Sequence, residues 1–406
     1  MPILRNQFRF NKAGQGCFYT GWLNTIHRTF SFVYDCGTSS TDNYIQNEIH
    51  LFHNNLKSRC NGTLNILIIS HFDADHVNKI RALLAGIGRV DYIILPYLNP
   101  FQRLLVLIGQ DDVDPDFRAF IQDPVGFLSS PDCEIGNIIF IKGDGSPEDN
   151  LEPIVFQSPV LDTNEFLVDY SELEDLDPEE EYKNRTPLVR FAGDKGRLFV
   201  NRFWEFYFFN RPINQGLLQN LVQAFNHHFP SLFKGEAFVQ EQAMEIFSDE
   251  NINAIKQIYR NVLGNHNLNH TSLMVLHGAC SINNREQPGL FFGNHYHRKY
   301  WIDSASYTLL MGDMYLHGLV FPNYLIKQRN RIAIVQIPHH GAATHWDFPV
   351  LTNLIHGLVI SVINFGLGNP YKHPKEVVVN DLRNHGWKIK LNHQLKFVRY
   401  FIYLHY

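Results

Sequence analysis

The chain predicts an α/β fold whose chemistry gathers at the carboxyl ends of its strands. Two observations carry that expectation. Over residues 15–96, short apolar runs alternate with a helically spaced segment and a second helix in a β-β-α-β-α-β order. Much later, three apolar strands in succession end on polar groups: Asp313, then the pair His339 and His340, then Asn364.

Element by element, Gln15–Trp22 reads as a strand, and Phe30–Gly37 as a second that brings Asp35 to a sheet edge. Ile45, Ile49, Phe52 and Leu56 give residues 42–58 the spacing of a helix, and Asn61-Gly62 turns the chain into the next strand. There Leu64, Ile66, Leu67, Ile68 and Ile69 form a buried run interrupted only by Asn65. The run leads into four potential metal ligands within six positions: His71, Asp73, Asp75 and His76. In an extended segment His71, Asp73 and Asp75 project to one side, and His76 completes the cluster. Two carboxylates and two imidazoles packed so closely are costly to bury unless a cation neutralises the acids. A helix from Val77 to about Gly86 and a strand Asp91–Pro96 follow.

Residues 100–262 are less regular and read as an insertion within a single domain spanning 1–406. Helical pieces are expected at Phe101–Gln110, Asp116–Ile121, Gly216–Phe229 and Ile252–Val262. The acidic run Asp169–Glu181 reads as a solvated loop, and the aromatic stretch Leu198–Phe209 as strand and core. Order returns with strands at Asn269–Gly278, Tyr307–Met314, Arg331–Ile337 and Gly357–Asn364. A helix Glu376–Asn384 and a C-terminal strand pair close the chain.

Composition narrows the class. With 45% hydrophobic and 14% aromatic residues the chain can build a large core, and a net charge of −5 argues against a protein that coats nucleic acid non-specifically. Five cysteines without a CxxC pair fit reduced thiols in the cytoplasm better than a disulfide framework. The N-terminus reads as no secretory signal, and no apolar run is long enough to span a bilayer, so no membrane association is expected.

Together these residues resemble the metallo-β-lactamase family, whose four-layered αββα sandwich carries a metal site at one sheet edge. Its HxHxDH loop is matched by His71-Phe-Asp-Ala-Asp-His, with Asp73 in place of a histidine. Gly312-Asp313 matches the bridging carboxylate, His339-His340-Gly341 the late histidine, and Asp35 the acid that braces the metal loop. More narrowly, the chain is similar to the soluble hydrolase domain of the competence protein ComEC and its stand-alone relatives. The motifs that carry this are Asn269-His-Thr-Ser-Leu-Met-Val-Leu, Leu309-Leu-Met-Gly-Asp, Pro338-His-His-Gly and His373-Pro374-Lys-Glu-Val-Val, in that order. The sequence departs from the pattern at Val77-Asn-Lys, where small residues are usual, and at Ala342, where serine is usual. The usual third histidine of the first metal site has no convincing candidate among His266, His270 and His277.

The resemblance implies two divalent metal ions, zinc or manganese. His71 and Asp73 would hold one; Asp75, His76 and one of His339 and His340 would hold the other; Asp313 would bridge them. Asp73 adds a hard oxygen donor, which moves preference from zinc towards manganese or magnesium. Asp75 and His373 are the catalytic candidates, His373 as a substrate contact or a proton donor to the leaving oxygen. Lys79 is read as a surface lysine that could reach a phosphate. Asn269 and Ser272 are candidates for positioning substrate or backbone, and His345 and Asp347 for the pocket rim. The loop from His295 through His297 to Trp301 mixes cations and aromatics as single-strand grooves do.

Three functions follow. The first is a phosphodiesterase or nuclease acting on a nucleic acid or nucleotide substrate. The second is a hydrolase of a lactone or amide. The third is a metal-binding subunit of a larger assembly, such as an antiviral defence complex, that docks protein partners through residues 100–262.

Overall fold

In the computed structural model the described residues are 3–109, 114–129, 132–143, 151, 154–161, 165–211, 215–234, 237–238, 249–263, 272–282, 289–292, 306–357 and 359–405. Two sheets carry the fold. In spatial order the ten-stranded sheet runs Gly289–Phe292, Val398–His405, Ile3–Phe10, Gly16–Asn24, Thr29–Thr38, Thr63–Ile68, Arg89–Pro96, Glu134–Lys142, Leu188–Gly193 and Asp175–Leu176. The eight-stranded sheet runs Lys388–Asn392, Ile360–Asn364, Ile332–Gln336, Tyr307–Leu310, Leu273–Ala279, Trp204–Asn210, Arg197–Val200 and Val168–Asp169.

The inner faces pack together through Phe8, Tyr19, Phe32, Ile66, Ile68, Phe206, Val275, Leu310 and Ile334. On the outer face of the first sheet, helix Asp42–Cys60 lays Ile45, Ile49, Phe52 and Leu56 against Val33, Leu67 and Ile93. On the outer face of the second, helices Phe348–Leu354 and Glu376–Asn384 bring Leu351, Val378 and Leu382 onto Leu309, Val335 and Ile363. The layers therefore run helix, sheet, sheet, helix. Strand periodicity explains the division, since Ile66 and Ile68 face the partner sheet while Leu67 and Ile69 face the helices.

Several expectations are revised. Residues 100–262 are not one continuous insert: Glu134–Lys142 and Leu188–Gly193 pair in parallel in the first sheet. Arg197–Val200 and Trp204–Asn210 form an antiparallel pair in the second. What stands apart is helical: Pro100–Gly109, Gln215–His228 and Asp249–Leu263 share a separate core of Phe101, Leu105, Leu221, Phe225 and Ile255. The acidic run is not merely solvated, because Glu181 pairs with buried Arg103 at 3.0 Å and Glu172 with buried Arg197 at 2.6 Å. The last two strands belong to different sheets rather than to one pair. Ile3–Phe10 is a strand the sequence reading missed.

The helix expected from Val77 breaks into Ala74–Val77 and Ile80–Leu84. Between them the Asn78 side chain accepts from the Thr38 amide at 3.0 Å and donates to its carbonyl at 2.8 Å, and the Lys79 amide donates to the Cys36 carbonyl at 3.1 Å. Anchoring to the neighbouring strand outweighs helix continuity. Among the described residues no helix is long and apolar enough to cross a membrane.

Candidate metal centre

Strand Thr63–Ile68 ends beside strand Thr29–Thr38, and the parallel register brings Tyr34 level with Ile68. Asp35 follows Tyr34, fully buried and in a left-handed conformation at φ 58°, which an aspartate tolerates better than most residues. Its carboxylate accepts three bonds: from the Ser70 amide at 2.6 Å, the Ser70 hydroxyl at 2.6 Å and His76 Nδ1 at 2.7 Å. The Ser70 hydroxyl, its own proton given to Asp35, accepts from His71 Nδ1 at 2.8 Å. Both imidazoles are thus held with Nδ1 protonated and Nε2 turned inward. Asp35 has the bracing position expected of it. Ser70, which completes the brace, was not singled out in the sequence; its position directly before His71 was the one available signal.

Asp75 does not lie on an extended segment as expected, because Ala74–Val77 is a helical turn. Gly37 lets that turn approach: a Cβ there would sit 2.5 Å from the backbone carbons of both Asp75 and His76. From the second sheet, Asp313 follows strand Tyr307–Leu310, and its amide donates to the Ser272 hydroxyl at 3.0 Å. The Leu273 amide donates to the Ser70 carbonyl at 2.6 Å and ties the two sheets together beneath the site. Ser272 positions the Asp313 backbone; Asn269 and the loop His295–Trp301 lie outside the described residues, as do His266 and His270.

The late histidine pair lies on a turn where both residues have positive φ, 46° at His339 and 55° at His340. Such backbone strain in two adjacent non-glycine residues persists only where the surroundings enforce it. The turn separates the pair. His340 is buried, its Nδ1 donates to the Asn364 carbonyl at 3.0 Å, and its Nε2 lies 3.0 Å from Asp75 Oδ2. His339 stands at the mouth, 25% exposed, with Nε2 3.7 Å from Asp313 Oδ2.

The donors then group in space. His71, His76 and Asp313 form one compact set, and Asp75, His76 and His340 a second, each with its ligand atoms within 4.8 Å of one another. Asp313 Oδ1 is 3.3 Å from His76 Nε2, Asp313 Oδ2 is 3.7 Å from His71 Nε2, and Asp73 Oδ2 is 3.8 Å from His71 Nε2. Asp313 belongs to the first set alone, so His76, rather than the Asp313 expected to bridge, is the residue the two compact sets share. The atoms fit a cation: His71 Nε2, His76 Nε2 and Asp313 Oδ1 are buried without a hydrogen-bond partner, a costly arrangement that a divalent ion at their focus would relieve.

Electrostatics agree. Burial, then the neighbouring His76, pushes His71 down to about 3. Burial also opposes the charge on Asp313, yet His339, His76 and His71 outweigh it and hold the carboxyl well below the usual range. Burial disfavours protonated His76, but Asp313 and Asp35 raise its pKa well above the ordinary value. The buried acids thus favour positive charge at His76, the role a metal ion would fill.

The remaining candidates lie around this core. His373 is half-buried at the rim, its ring 6.0 Å from that of His339, and burial followed by His340 and His339 pushes it down to about 4. That direction favours the neutral imidazole. The His345 ring packs 3.8 Å from that of His339, while Asp347 caps the helix Phe348–Leu354 through the Val350 amide. Lys79 pairs with Asp42 at 2.9 Å. His277 is excluded from the centre: it lies between the sheets among Phe8, Phe32 and Phe206, bonded to the Tyr19 hydroxyl at 3.0 Å.

No family model matches the chain, and no curated protein matches it. Among solved structures it is similar to the metallo-β-lactamase fold protein YhfI from Bacillus subtilis, at 8% identity and a TM-score of 0.36, over 98% of this chain and 99% of that one. It is also similar to Zn2+-bound PqqB from Methylobacterium extorquens, at 7% identity and a TM-score of 0.36, over 97% of this chain and 99% of that one. The αββα layering rests on this chain's own two sheets and their covering helices, and it is the fold class expected from the motif order.

Proposed function

We propose that the protein is a metal-dependent hydrolase of phosphodiesters, a nuclease or a nucleotide phosphodiesterase. One observation carries the reading. His71, His76 and His340 have their Nδ1 atoms committed to Ser70, Asp35 and Asn364, which leaves their Nε2 atoms to Asp75 and Asp313 in two adjoining donor sets that share His76. The mixture of imidazole and carboxylate donors suits manganese or zinc.

Divalent ions held there would supply a nucleophilic water at neutral pH and a counter-charge for phosphate oxygens. The chain's own residues do the positioning. Asp35 and Ser70 fix the imidazoles, Asp313 turns Oδ1 towards His76 and Oδ2 towards His71, and His339 and His373 stand at the mouth of the centre. Asp73, a hard oxygen donor where the family pattern has histidine, and the competence-type motif order favour phosphodiesters over lactones and amides.

The test is a panel of single- and double-stranded DNA, RNA, cyclic nucleotides and lactones, assayed with Mn2+ and with Zn2+ alongside metal analysis. Metal-dependent phosphodiester cleavage that Asp313→Asn abolishes is the expected outcome. Lactone turnover exceeding phosphodiester turnover, or no phosphodiester cleavage by protein with metals bound, would reverse the assignment. Whether residues 100–262 dock a protein partner is a separate question, answered by co-purification from the native host.

A further inference from the structure

One exposed aromatic stands beside the centre and the metal chemistry makes no use of it. Tyr371 is 61% exposed, yet its ring lies nearly parallel to the His373 imidazole, 15° between planes and 5.7 Å between centroids. The His373 ring is in turn 6.0 Å from His339, whose Nε2 is 3.7 Å from Asp313. A ladder of rings therefore leads from the donor cluster to the solvent.

The ladder is held stiffly. The Asn369 side chain donates to the carbonyls of Gly366 and His373, at 2.7 and 2.9 Å, and accepts from the His373 amide at 2.9 Å. Lys375 Nζ donates to the Tyr371 carbonyl at 2.7 Å. The Lys375 amide donates to the Gly341 carbonyl at 2.9 Å and fastens the loop to the histidine turn. That approach needs glycine, since a Cβ at Gly341 would lie 2.7 Å from Pro374 Cβ. Lys372, the next residue along the chain, is exposed, with no side-chain partner among the described residues. A solvent-facing aromatic on a braced loop, followed in the chain by an exposed cation, is the chemistry that takes an unpaired base and its phosphate, and a braced backbone lowers the entropy lost on binding.

We propose that Tyr371 is a stacking platform for an unpaired base next to the scissile phosphate, which makes single-stranded nucleic acid the substrate class. The inference rests on the phosphodiester reading above. Duplex DNA keeps its bases paired and stacked, and gains nothing from the platform.

The experiment measures binding and cleavage separately. Fluorescein-labelled single-stranded DNA and RNA oligonucleotides, matched oligonucleotides with one abasic position, and duplex DNA are titrated by anisotropy in Ca2+, and cleavage is then followed in Mn2+. Tyr371→Ala is expected to weaken single-strand binding and raise KM roughly 5- to 100-fold. Tyr371→Trp should restore most of the loss, and the effects of Tyr371→Ala and of the abasic position should not add. Unchanged metal content and melting temperature of each variant separate loss of stacking from misfolding.

Binding of Tyr371→Ala within twofold of the parent, binding indifferent to base removal, or absence of single-strand binding would each overturn the proposal. Cleavage without Tyr371 dependence would sink this inference alone. Tyr371-dependent binding without cleavage would sink the hydrolase reading alone.

Discussion

Asp35→Asn separates the geometry of the centre from its donor atoms. The substitution is isosteric, touches no proposed ligand atom, and keeps a residue type that tolerates the φ of 58° found there. It changes which way protons point. The carboxylate accepts from the Ser70 amide, the Ser70 hydroxyl and His76 Nδ1. An amide that still accepts from the Ser70 amide must turn its NH2 towards the Ser70 hydroxyl and His76. His76 then accepts at Nδ1 and carries its proton on Nε2, the atom that both compact donor sets share. Outer-sphere substitutions of this kind cost about 10- to 100-fold in metal affinity, or about 1.4–2.7 kcal/mol. At a metal concentration 100 times the parent dissociation constant, ligand-linked stabilisation is about 2.7 kcal/mol; a 30-fold loss of affinity lowers it to about 0.9 kcal/mol. Titration calorimetry with Mn2+ and Zn2+, paired with thermal unfolding with and without metal, reads both quantities. Parental affinity in a folded Asp35→Asn variant would refute the proposed tautomer lock.

Two further outcomes follow from the packing. Gly341 and Gly318 both have positive φ, 80° and 64°, but a Cβ meets Pro374 only at Gly341 and nothing within 4 Å at Gly318. Gly341→Ala should therefore lose about 1–3 kcal/mol more than Gly318→Ala in urea unfolding, and equal losses would show that the rim loop does not press on the histidine turn. Burial between the sheets pushes His277 down to about 3 from 6.5, so its neutral form contributes stability that is complete above pH 6.5 and is lost as pH falls towards 3. At pH 5 the penalty is about 2 kcal/mol, and His277→Leu should flatten the acid limb of the stability profile by that amount in chemical unfolding at pH 5 and pH 7.

The same packing shows why one strand escaped the sequence reading. Ile3–Phe10 buries Leu4, Asn6, Phe8 and Phe10, and the polar Asn6 interrupts the alternation. Asn6 is buried because its side chain accepts from the Asn24 amide on the neighbouring strand, a partner that local sequence does not reveal.

By itself the sequence determined the periodic elements and the ligand-dense loop from His71 to His76, because spacing and residue chemistry are local properties. It also named Asp35, Asp313, His339, His340 and His373, which motif order places beside that loop. Only the tertiary structure separated His340 in the cluster from His339 at the mouth, because a strained turn and the Asn364 carbonyl set their directions. It likewise sent His277 to the inter-sheet core and brought Ser70 into the brace of His71 and His76. Side-chain direction, tautomer and burial depend on partners from distant strands, and those partners exist only once the two sheets have packed.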